Sequence, residues 1–153
     1  VKNLLIVVHS QSGKTASMAE AVLRGATRSG DGEVKAKLLF AAQAGPSDLI
    51  RSDAVIFATP ENFGYLSGAM KDLLDRIFYP CQGRLEGMPY AVVIGAGNDG
   101  RGALKALRRI VRGLALHEVQ EAIICRGALE AEMIERCEEL GETMSAGLAM
   151  GVF

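Results

Sequence analysis

The sequence predicts an α/β fold: a doubly wound, five-stranded parallel sheet of order 2-1-3-4-5 with helices on both faces. Three observations carry that prediction. Short apolar, β-branched runs recur along the chain, and stretches with apolar residues at helical spacing separate them. No composition break or internal repeat interrupts the series. Strands alternating with helices make βαβ units, and right-handed crossovers leave only a few strand orders. A length of 153 residues fits one domain over 1–153, with a core that needs no disulfide.

Asn3 to Val8 is an unbroken apolar run, the pattern of a strand buried on both faces. Lys14 to Ser29 follows as a helix, with Met18, Ala19, Val22, Leu23 and Ala26 on one stripe. Val34 to Phe40 alternates apolar residues with Lys35 and Lys37, which suits a strand nearer an edge. Gly45-Pro46-Ser47-Asp48 opens a short helix to Arg51. Ala54 to Ala58 is the third strand, Ser67 to Phe78 a helix and Tyr90 to Ile94 the fourth strand. Arg101 to Leu114 carries Leu104, Leu107, Ile110, Val111 and Leu114 at i, i+3, i+4, i+7 spacing. Val119 to Cys125 is the fifth strand, and Leu129 to about Met150 the last helix.

Composition excludes several classes. Hydrophobic residues at 49% and charged residues at 23% rule out disorder. No apolar run approaches the roughly 20 residues a membrane span needs. Leu4 to Val8 is too short for a secretory core, so no membrane partner is expected. A net charge of −1 attracts neither nucleic acid nor anionic lipid. Cys81, Cys125 and Cys137 have no C-x-x-C spacing and suit a reducing cytoplasm, while two histidines are too few for a metal centre. The one excess is glycine, 18 of 153 residues, gathered where strands should end.

An open α/β sheet binds its ligand outside the carboxyl ends of the strands, where strand order reverses. Three loops meet there. In the first, Ser10-Gln11-Ser12-Gly13-Lys14-Thr15 links a strand to a helix N-terminus, where free amides and the dipole favour an anion. Ser10, Ser12 and Thr15 add hydroxyls, Gly13 permits close approach, and Lys14 could offset a phosphate charge. Gly13-Lys14-Thr15 also ends a nucleotide triphosphatase loop, but Val8 stands where that motif needs its first glycine, and no later strand ends in a magnesium-binding aspartate.

The second loop, Thr59-Pro60-Glu61-Asn62-Phe63-Gly64-Tyr65, brings two aromatics to the ligand edge. Tyr65 suits contact with a flat ring; Phe63 either stacks there or packs beneath its own loop. The third loop, from Gly95 through Ala96, Gly97, Asn98, Asp99 and Gly100 to Gly102, contains G-x-G-x-x-G. Two readings stand for it: a dinucleotide fingerprint with Glu118 or Glu121 as the ribose acid, or a turn whose amides meet a ring's polar edge. The edge lacks the aspartates of a phospho-accepting receiver and the Cys and Arg of a small tyrosine phosphatase. His9 reads as a satisfied second-layer histidine, and Cys81 falls in a loop near the edge.

Together these loops resemble the flavodoxin-like NAD(P)H-dependent FMN reductase and quinone reductase family. Ser10 to Thr15 is similar to its [ST]-x-[ST]-G-x-T phosphate loop, Thr59 to Lys71 to its T-P-x-x-F-G-x-x-S-G-x-x-K segment, and Gly95 to Gly102 to its third FMN loop. Asp75-Arg76 falls where the family's following helix ends in D-R. The resemblance spans the chain and implies FMN as cofactor, held by residues 10–15, 60–65 and 96–100. NADH or NADPH would be the hydride donor, and a quinone, flavin or similar small molecule the acceptor. It also implies a homodimer, with a flavodoxin-type electron carrier as the alternative. Backbone donors between Asn62 and Tyr65 would face the ring's N5, and those of Gly97 to Gly100 its N1 edge. No tryptophan is present to stack on the ring.

The charged faces complete the reading. Arg101, Lys105, Arg108, Arg109 and Arg112 make the fourth helix basic, and Glu132, Glu135, Glu138, Glu139 and Glu142 make the last one acidic. Both are expected to be solvated and to lie on opposite faces of the sheet.

Overall fold

Seven strands and five helices build the computed structural model, which describes residues 1–153. The parallel strands are β1 (Lys2–Val8), β2 (Val34–Phe40), β3 (Ala54–Asn62), β5 (Pro89–Ala96), β6 (His117–Glu118) and β7 (Ile123–Arg126), while β4 (Tyr65–Leu66) runs antiparallel to β3. The helices are α1 (Lys14–Gly30), α2 (Pro46–Ile50), α3 (Gly68–Cys81), α4 (Arg101–Arg112) and α5 (Ala131–Met150). None of them is long and apolar enough to cross a membrane.

Order β2-β1-β3-β5-β6, with β7 also on β5, is the expected 2-1-3-4-5 once β6 and β7 are taken as the halves of one strand. The expected continuous strand from Val119 to Cys125 is therefore broken. β6 pairs with Pro89 and Tyr90 and β7 with Val93 to Ala96, so Val119–Ala122 stand opposite only Ala91 and Val92. With Gln120 and Glu121 adjacent, that stretch cannot alternate apolar and polar, and it bulges off the ladder.

Two apolar layers enclose the sheet. α1 and α5 cover one face over Leu4, Ile6, Val8, Ile56 and Val93; α2, α3 and α4 cover the other over Leu5, Val7, Val55, Phe57 and Val92. The basic and acidic helices thus lie apart as expected. The acidic face of α5 is not merely solvated, however. Arg24 and Arg28 of α1 pair with Glu138 and Glu142 across the α1–α5 seam.

Cys81 departs from its expected place in a loop near the ligand edge. α3 continues through Pro80, and Cys81 closes its last turn, fully buried, with Sγ turned to the Pro46 carbonyl. That end of α3 points away from the ligand edge. Cys125 and Cys137 are also free and buried, and burial pushes the Cys137 thiol up to about 11.

Tyr90, buried at the start of β5, donates to Glu118 at 3.2 Å, and Arg108 of α4 grips the same carboxylate with two bonds of 2.8 Å. Burial, and then the neighbouring carboxylate, push the Tyr90 phenol up to about 12. A folded-state value above the unfolded one (about 10) stabilises the fold fully below pH ~10, and that stability is lost as pH rises through about 12. Tyr90→Phe is therefore expected to shrink the alkaline loss of stability by roughly 2 kcal/mol, read as denaturant midpoints between about pH 9 and 12. An alkaline limb of unchanged depth in the variant would remove Tyr90 as its source.

Candidate cofactor site

The first loop leaves β1 and turns into α1 through Gly13, which holds φ +96°. A Cβ there would meet nothing within 4 Å, so backbone conformation and not space calls for glycine. Ser10 Oγ accepts the Gly13 N–H at 3.1 Å and closes the turn. The amides of Ser10, Gln11, Ser12, Lys14, Thr15 and Ala16 donate to no protein acceptor, and no acidic residue stands in the first turn of α1. Gln11 and Ser12 are exposed while Thr15 is buried. A row of unpaired amides at a helix N-terminus is an anion cradle.

Lys14 does not face that cradle. Its Nζ donates to the carbonyls of Ala96 (2.9 Å), Cys125 (3.1 Å) and Gly127 (2.7 Å), where β5 and β7 end. Three oxygens already saturate the ammonium's three donors, so it braces α1 against the sheet and is not free to offset a phosphate charge. Gly95 makes room for this brace: a Cβ there would lie 2.5 Å from Thr15 Oγ1 and 3.2 Å from Lys14 Cε.

The second loop is a hairpin. β3 runs on past Ala58 through Thr59, Pro60 and Glu61 to Asn62, turns at Phe63 and Gly64, and returns as β4, pairing Asn62 with Tyr65. Both turn residues have positive φ, +54° and +71°, the two-residue turn whose twist matches a hairpin. An aromatic residue is strained in that region, and Phe63 is also wholly exposed. The structure thus excludes Phe63 packing beneath its own loop. Tyr65 stands beside it, 43% exposed. Beneath, buried Thr59 Oγ1 donates to the Pro60 carbonyl and accepts the Ser67 N–H, and Ser67 Oγ caps α3 at Met70.

Glu61 turns inward from this hairpin. Its carboxylate accepts the N–H of Gly100 at 3.2 Å and of Ala103 at 3.4 Å, at the start of α4. Asp99 accepts the Arg101 N–H at 3.1 Å. In the third loop Ala96 is buried with its carbonyl committed, whereas Gly97, Asn98 and Asp99 are exposed and their amides unpaired. The dinucleotide reading fails on two counts. Carboxylates fill the helix end that a pyrophosphate would need, and of the two candidate ribose acids Glu118 lies with Tyr90 at the opposite edge of the sheet, held by Arg108, while Glu121 stands exposed in the bulge between β6 and β7.

Sequence reasoning missed three parts of this edge. His9 is not satisfied: its buried Nδ1 has no partner. Gly127 brings a fourth loop in through Lys14. Gly102 lets the hairpin rest on α4, because a Cβ there would lie 1.8 Å from the Gly64 carbonyl oxygen. Only the glycine itself signalled the last of these. From the hairpin a groove of about 740 Å³ runs between α3 and α4, floored by Leu74, Phe78, Ala106 and Ile110.

These loops and this sheet put the chain in the class of doubly wound α/β proteins whose ligand sits outside the carboxyl edge, at the switch point between β1 and β3. The chain belongs to the NADPH-dependent FMN reductase family, whose model matches residues 41–128. That stretch includes the hairpin and the third loop; the first loop lies outside it, so its anion cradle rests on its own geometry. A NAD(P)H dehydrogenase (quinone) from Acidithiobacillus ferrooxidans is 36% identical over 95 residues, 50% of this chain and 47% of that protein. The chain thus spans about half the length of the curated relative it matches. Among solved structures, a flavodoxin from the domain Archaea superposes with a TM-score of 0.83 at 16% identity, covering 97% of this chain and 99% of that one. A flavodoxin, WrbA-like protein from Agrobacterium tumefaciens gives 0.78 at 21% identity, covering 99% of each. The fold is flavodoxin-like.

Proposed function

We propose that the chain, acting as one unit over residues 1–153, binds FMN and is an NAD(P)H-dependent oxidoreductase. It passes electrons to a quinone, a flavin or a similar small acceptor. The observation that carries this reading is the run of amides from Ser10 to Ala16, unpaired but for that of Gly13, with no acid in the first turn of α1. Residues 10–15 hold the phosphate, with Lys14 acting through its brace. Residues 60–65 and 96–100 border the ring, where the free amides of Gly97 to Asp99 and exposed Phe63 and Tyr65 supply the unused contacts a planar polar ring needs. FMN, when bound, supplies the hydride and electron chemistry, so the chain needs no side-chain acid or base of its own. Three buried free thiols support a cytoplasmic setting. The exposed aromatics beside an open groove support a homodimer, which a light-scattering mass of a single chain would remove.

The test is a visible spectrum after adding FMN and desalting, followed by NADH and NADPH without oxygen. A retained band near about 450 nm that bleaches promptly is expected of an oxidised flavin in such an enzyme. A band that bleaches only with dithionite identifies an electron carrier instead, and loss of all FMN removes the cofactor. Ser12→Asp places a carboxylate in the cradle and is expected to weaken FMN at least about tenfold, with riboflavin, which lacks the phosphate, unaffected. Equal FMN affinity in variant and wild type would take the phosphate away from this loop.

A further inference from the structure

Two helices begin at the ligand edge after glycine-bearing turns, and their N-termini are in opposite states. α1 offers unpaired amides and no acid. At α4 the amides of Gly100 and Ala103 are bound by Glu61 and that of Arg101 by Asp99. Two carboxylates stand where the dipole would otherwise draw an anion, and both repel a second negative group. The hairpin turn also lies directly against α4, with the Gly64 carbonyl where a Gly102 side chain would be. Glu61 belongs to the hairpin and Asp99 to the third loop, so the same bonds that shut α4 join the two loops into one piece.

We propose that Glu61, seconded by Asp99, is the specificity determinant that confines phosphate to α1. By holding the N-terminus of α4 from the hairpin side, Glu61 leaves the glycine-rich turn before it free for a ring edge and unable to take a phosphate. The site accepts the single phosphate of a mononucleotide and refuses a pyrophosphate laid across both helices. Identifying that mononucleotide as FMN rests on the reading above; the sorting of anions between the two helices does not.

The experiment follows backbone amides of the full, ¹⁵N-labelled chain by NMR during titration with inorganic phosphate, with no flavin present. In the wild type the amides from Ser12 to Ala16 are expected to shift and saturate, while those from Gly100 to Ala103 stay put. In Glu61→Gln/Asp99→Asn the α4 amides should respond too, with a phosphate dissociation constant at least about tenfold lower than at the same amides in the wild type. Saturation at α4 in the wild type, or silence there in a folded double variant, overturns the proposal. Should the double variant unfold, Glu61→Gln alone carries the comparison through its preference for FMN over FAD. That preference is expected to be at least about tenfold in the wild type and to narrow in the variant, and an unchanged ratio overturns the proposal. If the wild type holds neither flavin but phosphate still saturates α1 alone, the FMN reading falls and the anion sorting stands. A wild type in which no amide responds overturns both.

Discussion

Lys14→Met is expected to lose about 3 kcal/mol of folding stability and to weaken FMN about tenfold. The ammonium donates to three carbonyls at the ends of β5 and β7, two of these bonds part-buried. A charge-assisted bond of this kind contributes roughly 1.5–3 kcal/mol, and removing the donor leaves each oxygen to find another partner. The site opens to the ligand edge, so water can reach some of these oxygens and hold the loss well below the sum of three bonds. The expected signature is a lower urea midpoint at unchanged m-value. FMN affinity falls for a second reason: Lys14 is the first residue of α1, and without its anchor the amides of the phosphate cradle lose their fixed position. Lys14→Arg is not expected to rescue either property. The three carbonyls converge on one compact ammonium, and the larger planar fork does not reproduce that point of convergence without displacing the loop ends. A Lys14→Met protein as stable as the wild type would show the brace to be idle.

Gly141→Ala carries the other large effect, a loss of about 3 kcal/mol and a melting temperature lower by about 10 °C. α1 and α5 meet backbone to backbone. A Cβ at Gly141 would lie 2.0 Å from the Val22 carbonyl oxygen and 2.7 Å from the Ala26 nitrogen, and one at Gly25 would lie 1.9 Å from the Glu138 carbonyl oxygen. Alanine gains about 1 kcal/mol over glycine in a helix interior. That gain is outweighed, because backbone atoms cannot rotate aside as a flexible side chain would, and the whole helix pair must part. Parting also stretches the buried 2.8 Å bond from Ser145 Oγ to the Ala26 carbonyl. Thr143→Ala, on the exposed side of α5, serves as the control and should stay within about 0.5 kcal/mol of wild type. A Gly141→Ala protein melting within about 2 °C of wild type would mean that the seam yields freely.

Both predictions concern contacts that periodicity does not reveal, and the same division runs through the molecule. The stripe of Met18, Ala19, Val22 and Ala26 is buried as its spacing requires, and alternating Val34 to Phe40 forms the edge strand. These features are local: a 3.6- or 2-residue period decides which face is apolar, and the core follows. The hairpin escaped such reading because Thr59-Pro60-Glu61-Asn62 is too polar to look like strand and its partner is only Tyr65–Leu66; a turn made by Phe63 and Gly64 creates the pairing. The fifth strand failed in the opposite way, since Gln120 and Glu121 interrupt a run whose flanks alone look continuous.

At the ligand edge the meeting of the loops is legible from residue order, because strand order follows from βαβ alternation and the glycines, serines and threonines crowd the strand ends. What each polar side chain does there is set by long-range packing. Lys14 finds its partners as far as 113 residues along the chain and Glu61 its partners 39 and 42 residues away. A charge goes to whichever unpaired backbone groups folding brings within reach, and no local pattern encodes that distance.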